Sequence, residues 1–222
     1  MENKKQNFRV KSKESLKKLQ KNKTYNKDKL FEKNLLWFIE RKNPTNILMF
    51  LPLPIEPNIK GVIRRLRARG VVVYVPFIED ISFKIVKYRL PVSKGAYNIQ
   101  SCAQSLGFIK KIDLAIVPAI GIDSKFRRIG FGRGMYDRFF DSLSYKPPIA
   151  FVQRTLLFSK EEIGEAHDAV GDYLILPNKI FVKGRINNAY NSINGYGSRC
   201  VVRANRIFRS KKIGFRKVSN LY

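Results

Sequence analysis

Short apolar runs that alternate with helical segments constrain this chain most. Asn46 to Leu51 is such a run, bounded by Pro44 and Pro52, and it reads as a buried strand. Asn58 to Ala68 then places Ile59, Val62, Ile63 and Leu66 at helical spacing, with Pro57 near its start and Gly70 just past its end. Val71 to Val75 is a second, β-branched strand. A strand–helix–strand unit with short connections points to parallel pairing and a right-handed crossover. Ile81, Phe83 and Ile85 alternate with polar residues, as in a half-exposed strand. Leu114 to Val117, Pro148 to Val152 and Tyr173 to Leu176 supply further strands, with Ile180 to Val182 pairing at an edge. Residues 88–107 show little periodicity and read as a long connection.

Upstream, residues 11–41 read as helix in two pieces broken near Asn22 to Asn26, with Leu30, Phe31, Leu35, Trp37 and Phe38 on one apolar face. The expected fold class is α/β, a three-layer sandwich on a mixed, mainly parallel sheet. Residues 1–183 form the α/β domain, and residues 184–222 form a basic, weakly ordered C-terminal extension in which apolar residues keep no steady period. In open sheets of this kind ligands sit beyond the carboxyl ends of the strands. Glu56 and the segment after Pro118 both fall there.

That second segment contains Arg128-Ile-Gly-Phe-Gly-Arg-Gly-Met-Tyr-Asp137, followed at once by a helix-like run to Leu143. Glycines let backbone N–H groups approach an anion with no Cβ in the way. A helix N-terminus behind the loop adds positive dipole, while Arg128 and Arg133 add full charge. Asp137 places a carboxylate just past the loop, where a hard cation could bridge it to phosphate oxygens. The alternative is a plain glycine turn between strand and helix, and the basic loop with an acid behind it favours phosphate.

These residues resemble the signature of the 5-formyltetrahydrofolate cyclo-ligase family. Pro118-Ala-Ile-Gly-Ile-Asp123 is similar to the segment that precedes the glycine loop there. Lys5-Gln-Asn-Phe-Arg9, Phe50-Leu-Pro-Leu-Pro-Ile-Glu56 and His167-Asp168 resemble three further family segments in the same order, so the likeness spans about residues 5 to 182. Four positions depart from the pattern. Ser101 replaces an acid, Met135 replaces the first of two tyrosines, and Leu176-Pro177 replaces Thr-Glu.

The resemblance implies an ATP- and magnesium-dependent ligase that converts 5-formyltetrahydrofolate to 5,10-methenyltetrahydrofolate with release of ADP and phosphate. It implies ATP binding by Lys5, Arg9, Arg128, Gly130, Gly132, Arg133, Gly134 and Tyr136, with Arg133 and Tyr136 as catalytic residues. Leu51 and Glu56 would bind the folate, and Asp137 and Asp168 would hold Mg2+. The residues are suited to this in their own right. Lys5 and Arg9 share a face if the N-terminus is helical. Arg133 can neutralise charge developing on phosphoryl oxygens. A carboxylate such as Glu56 can accept hydrogen bonds from pterin N–H groups. Each also has a plainer reading: surface cations, capping or loop acids, a packed tyrosine. Asp123 is expected to shape the turn after its strand. His167 is the only histidine, so a histidine metal cluster is excluded and its role is at most positioning.

The net charge of +27 is uneven, with +9 in residues 1–42 and +10 in residues 183–222. A basic chain attracts polyanions through its field alone, and nonspecific polyanion binding through the tail is one expectation. Two alternatives therefore stay open: a degenerate relative that binds nucleotide or folate without turnover, and a basic RNA-binding protein on the same fold. The folate itself could be polyglutamylated. No apolar run approaches the roughly 18 to 20 residues of a membrane span, and no apolar leader is visible. Cys102 and Cys200 are too few and too distant for a disulfide framework. The expected location is cytoplasmic.

Overall fold

A mixed seven-stranded sheet organises the chain, in the order β11-β10-β9-β6-β1-β2-β3. The structure, a computed structural model, describes residues 2–21, 25–79, 82–90, 92–94, 100–102 and 109–184. The extension beyond residue 184, with Cys200, lies outside them. Helix α1 is Glu2–Lys21, α2 is Tyr25–Lys42, α3 is Lys60–Ala68 and α4 is Met135–Asp141. The strands of the main sheet are β1 Asn46–Leu48, β2 Val72–Glu79, β3 Ser82–Lys87, β6 Leu114–Pro118, β9 Ile149–Val152, β10 Tyr173–Ile175 and β11 Ile180–Val182. Two small hairpins add β4 Val92–Lys94 with β5 Gln100–Cys102, and β7 Gly121–Ile122 with β8 Arg128–Ile129.

The five central strands, β10, β9, β6, β1 and β2, pair in parallel, while β3 and β11 close the two edges antiparallel. The expected crossover is β1–α3–β2, with Ile47 opposite Val73. One face of the sheet presents Ile47, Val73, Val75, Ile116 and Val152 to Phe31, Leu35 and Ile39 of α2 and Val62, Ile63 and Leu66 of α3. The other presents Leu48, Tyr74, Val117 and Phe151 to Phe139 of α4 and to Ile122, Phe126 and Phe158. Burying apolar surface on both faces is what makes the central strands read as unbroken apolar runs. The three-layer α/β architecture agrees with the periodicity.

Three details differ from the sequence reading. Helix α1 begins at Glu2 rather than near residue 11: its first turns are fastened by Lys5 to Asp168 and by Arg9 to the Gly130 oxygen, tertiary contacts that no apolar stripe announces. The stretch 88–107 contains the β4–β5 ladder, in which Ser101 faces Ser93. Helix α4 stops at Asp141, before Leu143.

Candidate active site

The chain leaves β1 at Leu48, and Met49 to Leu51 remain buried beyond the last sheet partner. Prolines 52, 54 and 57 then limit the backbone, and a tight turn closes where the Glu56 N–H donates to the Leu53 oxygen at 2.9 Å. The Leu53 N–H donates back to Glu56 Oε2 at 2.8 Å, so one carboxylate oxygen is held by its own turn. Burial pushes the Glu56 carboxyl up to about 7, against the opposing pull of the Leu53 N–H, Arg128 and Arg154.

Facing this turn is a cavity of about 220 Å³ at the carboxyl ends of β1 and β6. Leu51, Glu56, Pro118, Arg128, Arg133 and Tyr136 are among its lining residues, and Phe50, Ile78, Phe83 and Met135 make its apolar wall. The sequence reading placed Leu51, Glu56, Arg128, Arg133, Gly134 and Tyr136 in one site, and the fold brings all six to this cavity. Phe50 and Phe131 lie within segments the sequence reading singled out without being given a role there, and it did not find Ile78 or Phe83, whose only signal was membership of apolar strands.

Arg128 occupies the floor rather than the mouth. It is 6% exposed, its Nε donates to the Pro118 oxygen at 2.9 Å, and its guanidinium lies 4.9 Å from the centre of the Tyr136 ring. Its Nη1 stands 3.6 Å from Asp137 Oδ2. A Cβ on Gly130 would overlap that guanidinium, so the loop needs glycine there for Arg128 to lie flat. Tyr136 also packs edge-on against Phe83 at 4.9 Å between ring centres. Burial, then the Glu56 carboxylate, raise the Tyr136 phenol above its ordinary value, with Arg128 opposing.

Gly134 caps α4 with φ 61°, and a Cβ there would come within 2.9 Å of Arg138 Nη1. The preceding loop is gripped from outside by α1. Arg9 Nε donates to the Gly130 oxygen at 2.9 Å, and Lys13 Nζ reaches the Phe131 oxygen at 3.3 Å while standing 5.4 Å from its ring centre. Lys5, Arg9 and Lys13 are spaced by four and share one helix face. The sequence reading stopped at Arg9, although the same spacing extends to Lys13. Burial and the neighbouring Arg9 and Lys17 lower the Lys13 ammonium.

The acids behind the loop are already engaged. Asp137 Oδ1 accepts the Ala169 N–H at 2.9 Å, which ties it to the residue after Asp168. Asp168 Oδ2 accepts from Lys5 Nζ at 2.7 Å and from the Glu165 N–H at 2.6 Å. Lys5 also pairs with Glu165 at 3.0 Å, and His167 Nε2 lies 3.1 Å from Glu165 Oε2 on the surface. Asp137 is thus fastened to the backbone next to Asp168, while the Asp168 carboxylate gathers with Glu165 and His167; carboxylates are hard oxygen donors of the kind a divalent cation takes. Asp123 shapes its turn as expected: Oδ1 accepts from the Lys125 and Arg127 N–H groups at 3.0 and 2.9 Å, and Oδ2 from Gly164 at 3.0 Å.

Among the described residues no helix is long and apolar enough to cross a membrane. A model of the 5-formyltetrahydrofolate cyclo-ligase family matches residues 1–166. Similar solved structures include the 5,10-methenyltetrahydrofolate synthetase of Aquifex aeolicus, with TM-score 0.68, 18% identity, and coverage of 80% of this chain and 92% of that one. Another is the 5,10-methenyltetrahydrofolate synthetase of Mycoplasma pneumoniae, with TM-score 0.58, 18% identity, and coverage of 77% and 97%. At that identity the two structures speak for the fold. No curated protein sequence matches the chain.

Proposed function

The chain belongs to the 5-formyltetrahydrofolate cyclo-ligase family, and from that premise we propose that the cavity between the Glu56 turn and the glycine loop holds 5-formyltetrahydrofolate beside ATP. The reaction is the ATP-dependent closure of 5-formyltetrahydrofolate to 5,10-methenyltetrahydrofolate, with ADP and phosphate released. The formyl oxygen takes the γ-phosphoryl group, N10 of the folate attacks the activated carbon, and phosphate leaves as the ring closes. Such a transfer needs positioning and charge neutralisation more than a protein nucleophile.

One observation carries this reading. A half-buried acid suited to pterin N–H groups and a cation-flanked glycine loop face each other across one largely apolar cavity. Glu56 orients the pterin, and Phe50, Leu51 and Met135 form its apolar wall and exclude water. Arg9 and Arg133 meet the phosphates at the loop, with Lys5 behind Asp168. Arg128 supports Tyr136 and Asp137 from below while adding positive potential to the cavity. Asp137 and Asp168 would hold Mg2+, which when bound supplies charge neutralisation on the phosphate oxygens. Met135 removes one hydroxyl that the family signature carries, and the phosphate loop around it is complete. The test is direct spectroscopic detection of methenyltetrahydrofolate with 5-formyltetrahydrofolate, ATP and magnesium, each omitted in turn. Product formation that needs all three supports the reading. Binding of folate or nucleotide with no product would replace it with a non-catalytic relative.

A further inference from the structure

Arg154 follows β9 on a base that its neighbour makes rigid. Gln153 is buried, its N–H donates to the Ile175 oxygen at 3.2 Å, its Oε1 accepts the Leu157 N–H at 3.1 Å, and its Nε2 donates to the Leu157 oxygen at 3.3 Å. From that base the Arg154 side chain, 12% exposed, crosses to two other elements. Its Nε donates to the Glu56 backbone oxygen at 2.8 Å, and its Nη2 reaches Asp28 Oδ2 of α2 at 3.3 Å. The planar fork of a guanidinium satisfies both partners in one fixed geometry, which a lysine cannot do.

We propose that Arg154 is a positioning residue for the folate: by bridging the Glu56 backbone to Asp28 it fixes the 53–56 turn, and with it the carboxylate that faces the substrate. This rests on the reading that Glu56 binds the pterin. Among the described residues Arg154 ties the turn to the end of β9 and, through Asp28, to α2. The bonds from Glu56 N–H to the Leu53 oxygen and from Leu53 N–H to Glu56 Oε2 are internal to the turn and set its shape without setting its place. Arg154 also sets charge. The charged groups acting on Glu56 are Arg128 from β8 and Arg154 from the end of β9; Glu56 in turn acts on the Tyr136 phenol of α4, and Asp28 stands behind Arg154. Arg154 holds the Glu56 carboxyl down against burial, and it does the same for Asp28. A residue of this kind acts through Glu56, so its loss is expected to appear in substrate affinity and its pH dependence together.

The experiment measures kcat and KM for each substrate from acid to mildly alkaline pH in the full chain and in four variants, beside thermal melts. Arg154→Gln is expected to raise KM for 5-formyltetrahydrofolate roughly tenfold, with kcat and KM for ATP within about twofold. It is also expected to move the pH midpoint of folate KM upward, because removing the cation leaves burial less opposed. Arg154→Lys should restore the midpoint and not the affinity. Asp28→Asn should weaken folate in the same direction and to a smaller extent, and it keeps the test open if Arg154→Gln does not fold. Glu56→Gln is the reference. If it raises folate KM while both Arg154 variants leave KM and midpoint unchanged, the positioning role is overturned. A lowered melting temperature with folate KM raised equally at every pH would also overturn it, leaving Arg154 as a structural brace. If Glu56→Gln itself leaves folate KM unchanged, the assignment of Glu56 fails first and this inference falls with it.

Discussion

The Ala169 N–H donates to Asp137 Oδ1 at 2.9 Å, so the acid behind the glycine loop is fastened to the residue that follows Asp168. The bond ties α4 to a segment far away in sequence, and Arg128 Nη1 stands 3.6 Å from the other carboxylate oxygen of Asp137. Asp137→Asn keeps an acceptor for Ala169 and removes the charge. It leaves Arg128 buried beside one fewer anion, a change that typically costs about 3 to 5 kcal/mol when a buried pair is broken. The expected outcome is a lower melting temperature together with a higher magnesium requirement for turnover. Thermal melts and magnesium titration read both, and an unchanged magnesium curve with a lowered melt would make Asp137 purely structural.

Glu56 gives a pH dependence with a defined sign. Its carboxyl rises from 4.5 to about 7 on burial, so the folded protein holds a proton that the unfolded chain releases. That contribution to stability is present below the unfolded value and is lost as pH rises through about 7. The ligand-free protein should therefore lose stability between roughly pH 5 and pH 8 more steeply than Glu56→Gln does. Folate binding runs the other way, because an ionised carboxylate accepts pterin N–H groups better, and KM for folate should fall over the same window. Parallel curves for the wild type and Glu56→Gln would show that Glu56 does not titrate there.

Arg133 and Gly134 separate charge from backbone geometry in the loop. Arg133 is exposed, so Arg133→Ala should leave the melt nearly unchanged while raising KM for ATP or lowering kcat by about tenfold or more. Gly134→Val places a β-branched residue at φ 61° with its Cβ 2.9 Å from Arg138 Nη1. It should damage both stability and ATP use. Wild-type kinetics in Arg133→Ala would remove that residue from the phosphate site.

Truncation tests the domain boundary. The last strand of the main sheet ends at Val182, and residues 186–222 carry eight Lys/Arg and no acid. Their deletion should leave melting and cyclisation intact while weakening polyanion binding and reducing its salt dependence. Loss of turnover on truncation would mean that the extension completes the site.

How much of this was legible follows from which forces act locally. Strand and helix identity could be read because unbroken apolar runs record strands covered on both faces and 3.6-residue patterns record a helix face on a core, and Ile47, Val73 and Ile116 belong to such runs. The glycine loop could be read because Gly134 at φ 61° and the close approach of Gly130 to Arg128 both demand glycine itself. The N-terminal extent of α1 could not, since its register is set by Lys5, Arg9 and Lys13 meeting Asp168, Gly130 and Phe131 across more than a hundred residues. Arg154 left no mark either: a cation after a strand means nothing until the fold sets the Glu56 oxygen 2.8 Å from it. The sequence by itself determined the layers of the sandwich and the glycine loop, because hydrophobic periodicity and backbone sterics are properties of neighbouring residues. Only the tertiary structure decided which charges meet, because a buried ion pair depends on the distance between elements, and that distance exists only once the sheet has assembled.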